Sequence, residues 1–342
     1  MPFLQLSNVS IGYHSKNRLS LVQSELSLSA NKGELIALIG ENGCGKSTLI
    51  RSIACLQPIF KGEINLNGKN LEKLTPAKRA KLLSVVLTEQ KSVASFNVRE
   101  LISIGRDPYT GWLGSLSETD NDIITRAIEQ TYLQGFENRN IHELSDGERQ
   151  RAFIARALAQ DTPLIILDEP TSHLDLANRI NILLLLQKLA RNTGKTILIS
   201  THELETAMQV ADKLWMMEKG GGVIVGVPED MVLNGKFDSV FNHQNYDFDK
   251  EYGTFIVQKQ FDKFITTRAN IRDGLMTRWT TKALSRRGFK IVENASVVLQ
   301  IDEEEKSWTV NNNLLSYVTY SIEEALHAIA ELMSKGKSQS NV

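Results

Sequence analysis

Short continuous apolar runs recur at residues 35–39, 164–167 and 214–217, with Thr196–Ser200 between the last two. Runs this short, without polar alternation, predict strands buried on both faces, as in a parallel sheet. Helical periodicity fills the intervals at 149–160, 176–191 and 203–211, so strand and helix alternate and an α/β sheet follows. Ahead of this unit the pattern changes. Residues 3–11 and 19–28 alternate apolar with polar, which predicts antiparallel strands, and 61–68 reads as a strand closed by an Asn-Gly turn. A strand over 83–88 leads into helical segments at 98–104 and 121–132, broken at 105–114. Beyond Pro228 the chain makes one short helix, and near residue 250 a second region begins. Its pattern predicts strands at 254–258, 290–301, 307–310 and 315–319, with helices at 276–287 and 322–334. The expectation is a main domain over 1–250 and a small α/β domain over 251–342.

Composition narrows the class. A chain of 342 residues exceeds one typical core, which agrees with two domains. A net charge of −1 removes the global basic field of a nucleic-acid binder. The two cysteines, Cys44 and Cys55, form no CxxC pair, so a disulfide or zinc framework is not expected, in keeping with a reducing cytosol. His14, His142, His173, His243 and His327 have no metal-ligand spacing. Glu303-Glu304-Glu305 reads as a solvated turn. No stretch approaches the roughly 18 apolar residues that a membrane-spanning helix needs.

The strongest local signal is Gly40-Glu41-Asn42-Gly43-Cys44-Gly45-Lys46-Ser47, followed by Thr48. It lies between an apolar strand and a helix, the setting in which G-x-x-x-x-G-K-[ST] has meaning. Glycines let successive N–H groups point into one concavity that cradles phosphates, and the following helix turns its positive end to the same anion. Lys46 can reach the terminal phosphates and the Ser47 hydroxyl can ligate Mg²⁺. Cys44 would be shielded by bound nucleotide. A second signal, Asp168-Glu169, ends the run 164–167. A carboxylate at the carboxyl end of a central strand faces the ligand crevice of an open α/β sheet. Asp168 suits Mg²⁺, and Glu169 suits deprotonation of an attacking water.

Leu144-Ser145-Asp146-Gly147-Glu148-Arg149-Gln150, just upstream of that strand, resembles the signature sequence of ATP-binding-cassette (ABC) ATPases. The family's other elements follow in order: Tyr13 where an aromatic stacks on adenine, Gln90 before the helical insertion, Ser172-His173-Leu174-Asp175 as a D-loop, and His202 as the switch histidine. The resemblance covers about residues 3–240. It implies a P-loop ATPase fold with a parallel core sheet, an antiparallel β subdomain and a helical insertion. It also implies ATP and Mg²⁺ as cofactors, with Gly40 through Thr48 on the phosphates and Ser47, Gln90 and Asp168 around the metal. Glu169 would be the base, and His202 would contact the γ-phosphate. Ser145 and Gly147 would act in trans on the nucleotide of a second copy in a head-to-tail dimer. Asp146 departs from the commoner glycine and should turn its charge away from the phosphate.

Ile104-Gly105-Arg106-Asp107-Pro108-Tyr109-Thr110-Gly111 narrows the resemblance. It is similar to a stretch of the ATPases that power uptake of ferric siderophores, haem and cobalamin. That likeness implies an ATP-hydrolysing importer subunit, peripheral on the cytoplasmic face of the cell membrane. Its partners would be integral permease subunits and, indirectly, a substrate-binding protein, with no nucleic acid. The alternative is an ABC ATPase unconnected with transport. Against it, residues 48–144 show no sustained heptads and the chain carries one phosphate loop. No motif in 251–342 carries chemistry, and the expectation there is either a regulatory or dimer-stabilising role or a purely structural appendage.

Overall fold

The computed structural model describes every residue except 1, 16–17, 88–95, 112–113, 238–245, 251–252, 258, 313 and 339–342. The chain divides into two compact units, Met1–Val240 with Lys250–Thr254, and Phe241–Asp249 with Phe255–Val342.

In the first unit β1 (Leu4–Ser15) and β2 (Arg18–Ala30) pair antiparallel, and β4 (Lys61–Leu66) and β5 (Lys69–Asn70) complete a sheet of order β2-β1-β4-β5. Asn67 and Gly68 join β4 to β5 with φ of 48° and 73°, the positive angles that a tight hairpin turn demands. The second sheet holds β3 (Leu35–Gly40), β6 (Leu83–Val86), β7 (Leu164–Asp168), β8 (Thr196–Ser200), β9 (Lys213–Glu218) and β10 (Gly222–Gly226). Its order is β10-β9-β3-β8-β7-β6, parallel except for β10. Every residue of β3, β7 and β8 is buried, which is why these strands read as continuous apolar runs.

Helix α1 (Lys46–Ile53) follows β3 across the turn at 41–45, and α2 (Pro76–Arg79) precedes β6. Leu4, Leu6, Ile36, Leu38, Ile50, Ile166, Leu198 and Trp215 belong to one core, so both sheets and α1 share a single apolar interior. Between β6 and β7 lie α3 (Val98–Ser103), α4 (Glu118–Gln130) and α5 (Asp146–Ala159). Asn97, Ser117 and Ser145 start them with reciprocal capping boxes. Helices α6 (Leu176–Thr193), α7 (Leu204–Val210) and α8 (Pro228–Leu233) finish the unit.

In the second unit β11 (Tyr246–Asp249) pairs with β12 (Thr254–Val257), and Phe248 meets Phe255 edge-on at 5.4 Å. A five-stranded sheet follows, of β13 (Lys263–Ala269), β14 (Phe289–Ile291), β15 (Val298–Asp302), β16 (Ser307–Asn311) and β17 (Ser316–Thr319), in the order β14-β13-β15-β16-β17. Helices α9 (Leu275–Arg286) and α10 (Ile322–Ser338) bury Leu284, Leu326 and Ile329 with Ile265, Leu299 and Trp308. The turn at 303–305 does more than meet solvent. Glu303 Oε1 accepts from the Thr277 N–H at 2.9 Å and so caps the start of α9.

Candidate functional site

The phosphate-binding candidate is a turn in which side chains are excluded by geometry. Gly40 has φ 152°, and a Cβ there would lie 2.4 Å from the Met217 carbonyl of neighbouring β9. Gly45 has φ 114° at the start of α1, and its Cβ would lie 2.4 Å from Val22 Cγ1. Both positions need glycine for conformation and for space. Lys46 is buried, and its Nζ donates to the carbonyls of Gly40 at 2.8 Å and Glu41 at 3.1 Å. The loop therefore holds its own lysine against its own backbone.

Cys44 corrects one expectation. Its thiol is 1% exposed and joins the apolar core, so burial by the fold, rather than by nucleotide, protects it. That burial pushes its pKa up, against the opposing pull of Lys46. Gln23 explains how the loop is pinned. Its Nε2 donates to the carbonyls of Cys44 and Glu218, while its Oε1 accepts from Gly222 N. A buried glutamine in an alternating strand gives no sequence signal for this. Tyr13, half exposed, shares a hydrogen bond between its phenol and the Thr48 hydroxyl, which holds the ring beside the start of α1.

The register of the parallel sheet assembles the carboxylates. Asp168 at the end of β7 pairs with Ser200 at the end of β8. Ser47 Oγ donates to Asp168 Oδ1 at 3.2 Å, which joins the phosphate loop to the carboxylate strand. Glu169 follows in the left-handed region, with φ 48°. A non-glycine residue held there costs on the order of 1–3 kcal/mol, and such strain concentrates at functional sites. His202 Nδ1 lies 3.9 Å from Glu169 Oε1, with the imidazole half exposed. Gln90 lies outside the described residues.

This donor set can be tested against Mg²⁺. Among the described residues no cluster of three His, Cys, Asp or Glu could hold a metal alone. Mg²⁺ that travels with a nucleotide needs only one or two protein oxygens beside the phosphates. Ser47 Oγ and the Asp168 carboxylate, already 3.2 Å apart, are hard oxygen donors of that kind. The fit is good.

The signature stretch forms the start of α5. The Ser145 hydroxyl caps the helix by accepting from Glu148 N at 3.3 Å, and it donates to Glu148 Oε2 at 2.8 Å. The backbone N–H of Ser145 also donates to Glu148, and this bond leads the causes that draw the Glu148 pKa down. Asp146 pairs with Arg149 one turn along, so its charge is matched within its own helix. At Gly147 a Cβ would lie 2.7 Å from Asn178 Oδ1 of α6, so glycine also permits the close approach of these two helices. Asp175 caps α6 through Asn178 N at 2.8 Å. Glu203, next to His202, meets both Thr171 Oγ1 at 3.3 Å and Arg179 Nη1 at 3.4 Å.

In the stretch at 104–111, Gly105 and Arg106 are buried in the helical insertion, while Asp107, Tyr109 and Gly111 are exposed. A Cβ on Gly105 would lie 2.3 Å from the Arg156 carbonyl of α5. Arg106 is buried, its Nε 2.8 Å from Asp120 Oδ1 and its Nη1 donating to the Ala159 carbonyl at 2.8 Å. The Tyr109 ring covers the guanidinium at 4.1 Å. Hydrogen bonds from Ser117, and then from Arg106, bring the Asp120 carboxyl down to about 2.

Comparisons with known proteins agree with this geometry. Residues 23–172 match the family profile described as ABC transporter, and residues 271–330 match the iron ABC transporter C-terminal domain. An ABC transporter ATP-binding protein of Methanocaldococcus jannaschii is 38% identical over 74% of this chain and 86% of its own length. The achromobactin transport ATP-binding protein of Dickeya dadantii is 37% identical over 68% of this chain and 86% of its own. Among solved structures, a dimeric ATP-binding cassette in a post-hydrolysis state with ADP and Pi superposes with a TM-score of 0.58. It is 26% identical and covers 66% of this chain and 98% of its own.

Proposed function

The chain belongs to the ABC transporter family of ATP-binding proteins, and on that premise we propose that it is the ATP-hydrolysing subunit of an importer for ferric siderophores. The observation that carries the iron assignment is the match of residues 271–330 to the iron ABC transporter C-terminal domain. Similarity to an achromobactin transport protein supports the same cargo class over haem or cobalamin.

The site supports a role for each residue. The backbone of Gly40, Glu41, Asn42, Gly43, Cys44, Gly45 and Thr48 cradles the triphosphate, and Lys46 neutralises it. Tyr13, held beside the start of α1, would stack on the adenine. Ser47, Asp168 and Gln90 would hold Mg²⁺, which when bound would supply charge neutralisation to the phosphates. Glu169 Oε1 takes the proton of the attacking water, and His202, 3.9 Å away, orients that water and the γ-phosphate. In a head-to-tail dimer the start of α5, with Ser145 and Gly147, faces the partner's nucleotide and adds the positive end of a helix to it. The helical insertion docks on permease subunits at the cytoplasmic face of the membrane, and a substrate-binding protein delivers the cargo outside. Among the described residues no helix is long and apolar enough to cross a membrane. The second unit regulates or steadies the dimer.

Uptake of radiolabelled ferric siderophore by cells carrying wild-type protein or Glu169→Gln tests the reading. Uptake lost in the variant, with the permease co-purifying in both cases, is expected. Unchanged uptake, or recovery of the chain without any membrane partner, would sink it.

A further inference from the structure

One side chain at the site has no place in the roles above. Ser200, fully buried at the end of β8, donates its hydroxyl to Asp168 Oδ1 at 2.6 Å. Ser200 Oγ in turn accepts from the backbone N–H of Glu169 at 2.8 Å. Strand register is what makes both bonds possible, because Ser200 stands opposite Asp168 on one side and Leu38 of β3 on the other. A single hydroxyl therefore ties a metal-facing carboxylate to the peptide that carries the base.

We propose that Ser200 is a positioning residue for ATP hydrolysis, joining Asp168 and Glu169 in one rigid unit. The proposal rests on the roles given above to those two carboxylates. Its physical content is twofold. The bond to Oδ1 fixes the plane of the Asp168 carboxylate, on which the hydroxyl of Ser47 also converges at 3.2 Å. The bond from Glu169 N holds that residue's left-handed backbone, with φ 48°, and so sets where its side chain points relative to His202. An alanine at 200 removes the acceptor of the part-buried Glu169 N–H and the donor to Asp168 Oδ1. Threonine keeps the hydroxyl.

The test compares Ser200→Ala and Ser200→Thr in the full chain. Steady-state hydrolysis is measured against ATP and Mg²⁺. Mn²⁺ binding to the ATP complex is measured by electron paramagnetic resonance in a Glu169→Gln background, where turnover does not interfere. Expected for Ser200→Ala is a fall in kcat of about 10–100-fold, the usual size of a supporting-shell effect, with KM for ATP nearly unchanged and Mn²⁺ held more weakly. Ser200→Thr should restore most of kcat. Near-wild-type kcat in Ser200→Ala would overturn the proposal. So would a loss confined to KM and to metal-free nucleotide binding, since that would mean a distorted phosphate loop. Glu169→Gln by itself separates the two levels. If it turns over normally, the base assignment fails and this proposal falls with it. If it is inactive while Ser200→Ala is not slowed, the positioning role alone fails.

Discussion

Arg106 Nε and Asp120 Oδ1 meet at 2.8 Å inside the helical insertion, with each residue more than nine-tenths buried. Removing one partner from such a pair leaves a buried charge uncompensated, at a cost of about 3–5 kcal/mol. The pair also makes a statement about pH. Asp120 has a folded pKa of about 2, held down by Ser117 first and Arg106 next. A carboxyl depressed on folding adds stability above its unfolded pKa, about 4, and that stability is lost as pH falls through 2. Circular-dichroism melts between pH 5 and pH 2 should show this loss in the wild type. Asp120→Asn should be less stable at neutral pH and flatter across the window. Parallel curves would remove Asp120 as the titrating group.

At Gly105 the backbone passes close against α5. Gly105→Ala places a methyl 2.3 Å from the Arg156 carbonyl, so backbone must move. Overpacking of this kind costs about 1–3 kcal/mol. Urea unfolding should show the shift, and an unchanged midpoint would mean the turn at 104–106 can move away from α5 at no cost.

Glu169→Gln keeps size and shape while removing the carboxylate proposed as the base. ATP hydrolysis should drop by about 10²–10⁴-fold with ATP affinity retained. Phosphate-release assays and nucleotide titration, run side by side, decide it; rapid turnover in the variant would take Glu169 out of the reaction.

Lys46→Ala should act one step earlier, on binding. Isothermal titration with ATP is expected to show affinity weakened at least about tenfold, as fits the loss of a charge-assisted contact. Unchanged affinity would mean the loop at 40–47 is not the nucleotide site.

The two thiols should differ in a way that does not depend on nucleotide. Cys44 is sealed in the core and Cys55 is half buried, and burial raises the pKa of both. With Ellman's reagent on nucleotide-free protein, Cys55 should react slowly and Cys44 only on unfolding. Rapid labelling of Cys44, suppressed by ATP, would restore nucleotide as its shield.

The parts of the fold that showed in the sequence are those that burial forces into one pattern. β3, β7 and β8 are enclosed on both faces, so their apolar runs have no competing explanation. The second unit was harder to read. β13, Lys-Phe-Ile-Thr-Thr-Arg-Ala, escaped detection because only part of it is buried. Residues 290–301 read as one strand but form parts of two, β14 and β15, which flank β13 on opposite sides. Local pattern carries no record of such a crossing. The site divides in the same way. Motif spacing pointed to Lys46 and Asp168, and the family resemblance to His202, as candidates, whereas Gln23 and Ser200 bond to partners far away in sequence that only strand register brings near.

The Lys46 ammonium rests on the carbonyls of Gly40 and Glu41, with almost no exposure to solvent. The hydration of that cation has already been surrendered at the folding stage. An incoming triphosphate therefore meets a charge with little water left to shed, and its arrival is an exchange of neutral acceptors for an anionic one. Calorimetry of such an exchange reports a difference between two sets of hydrogen bonds, so a small binding enthalpy here would be no sign of a weak contact.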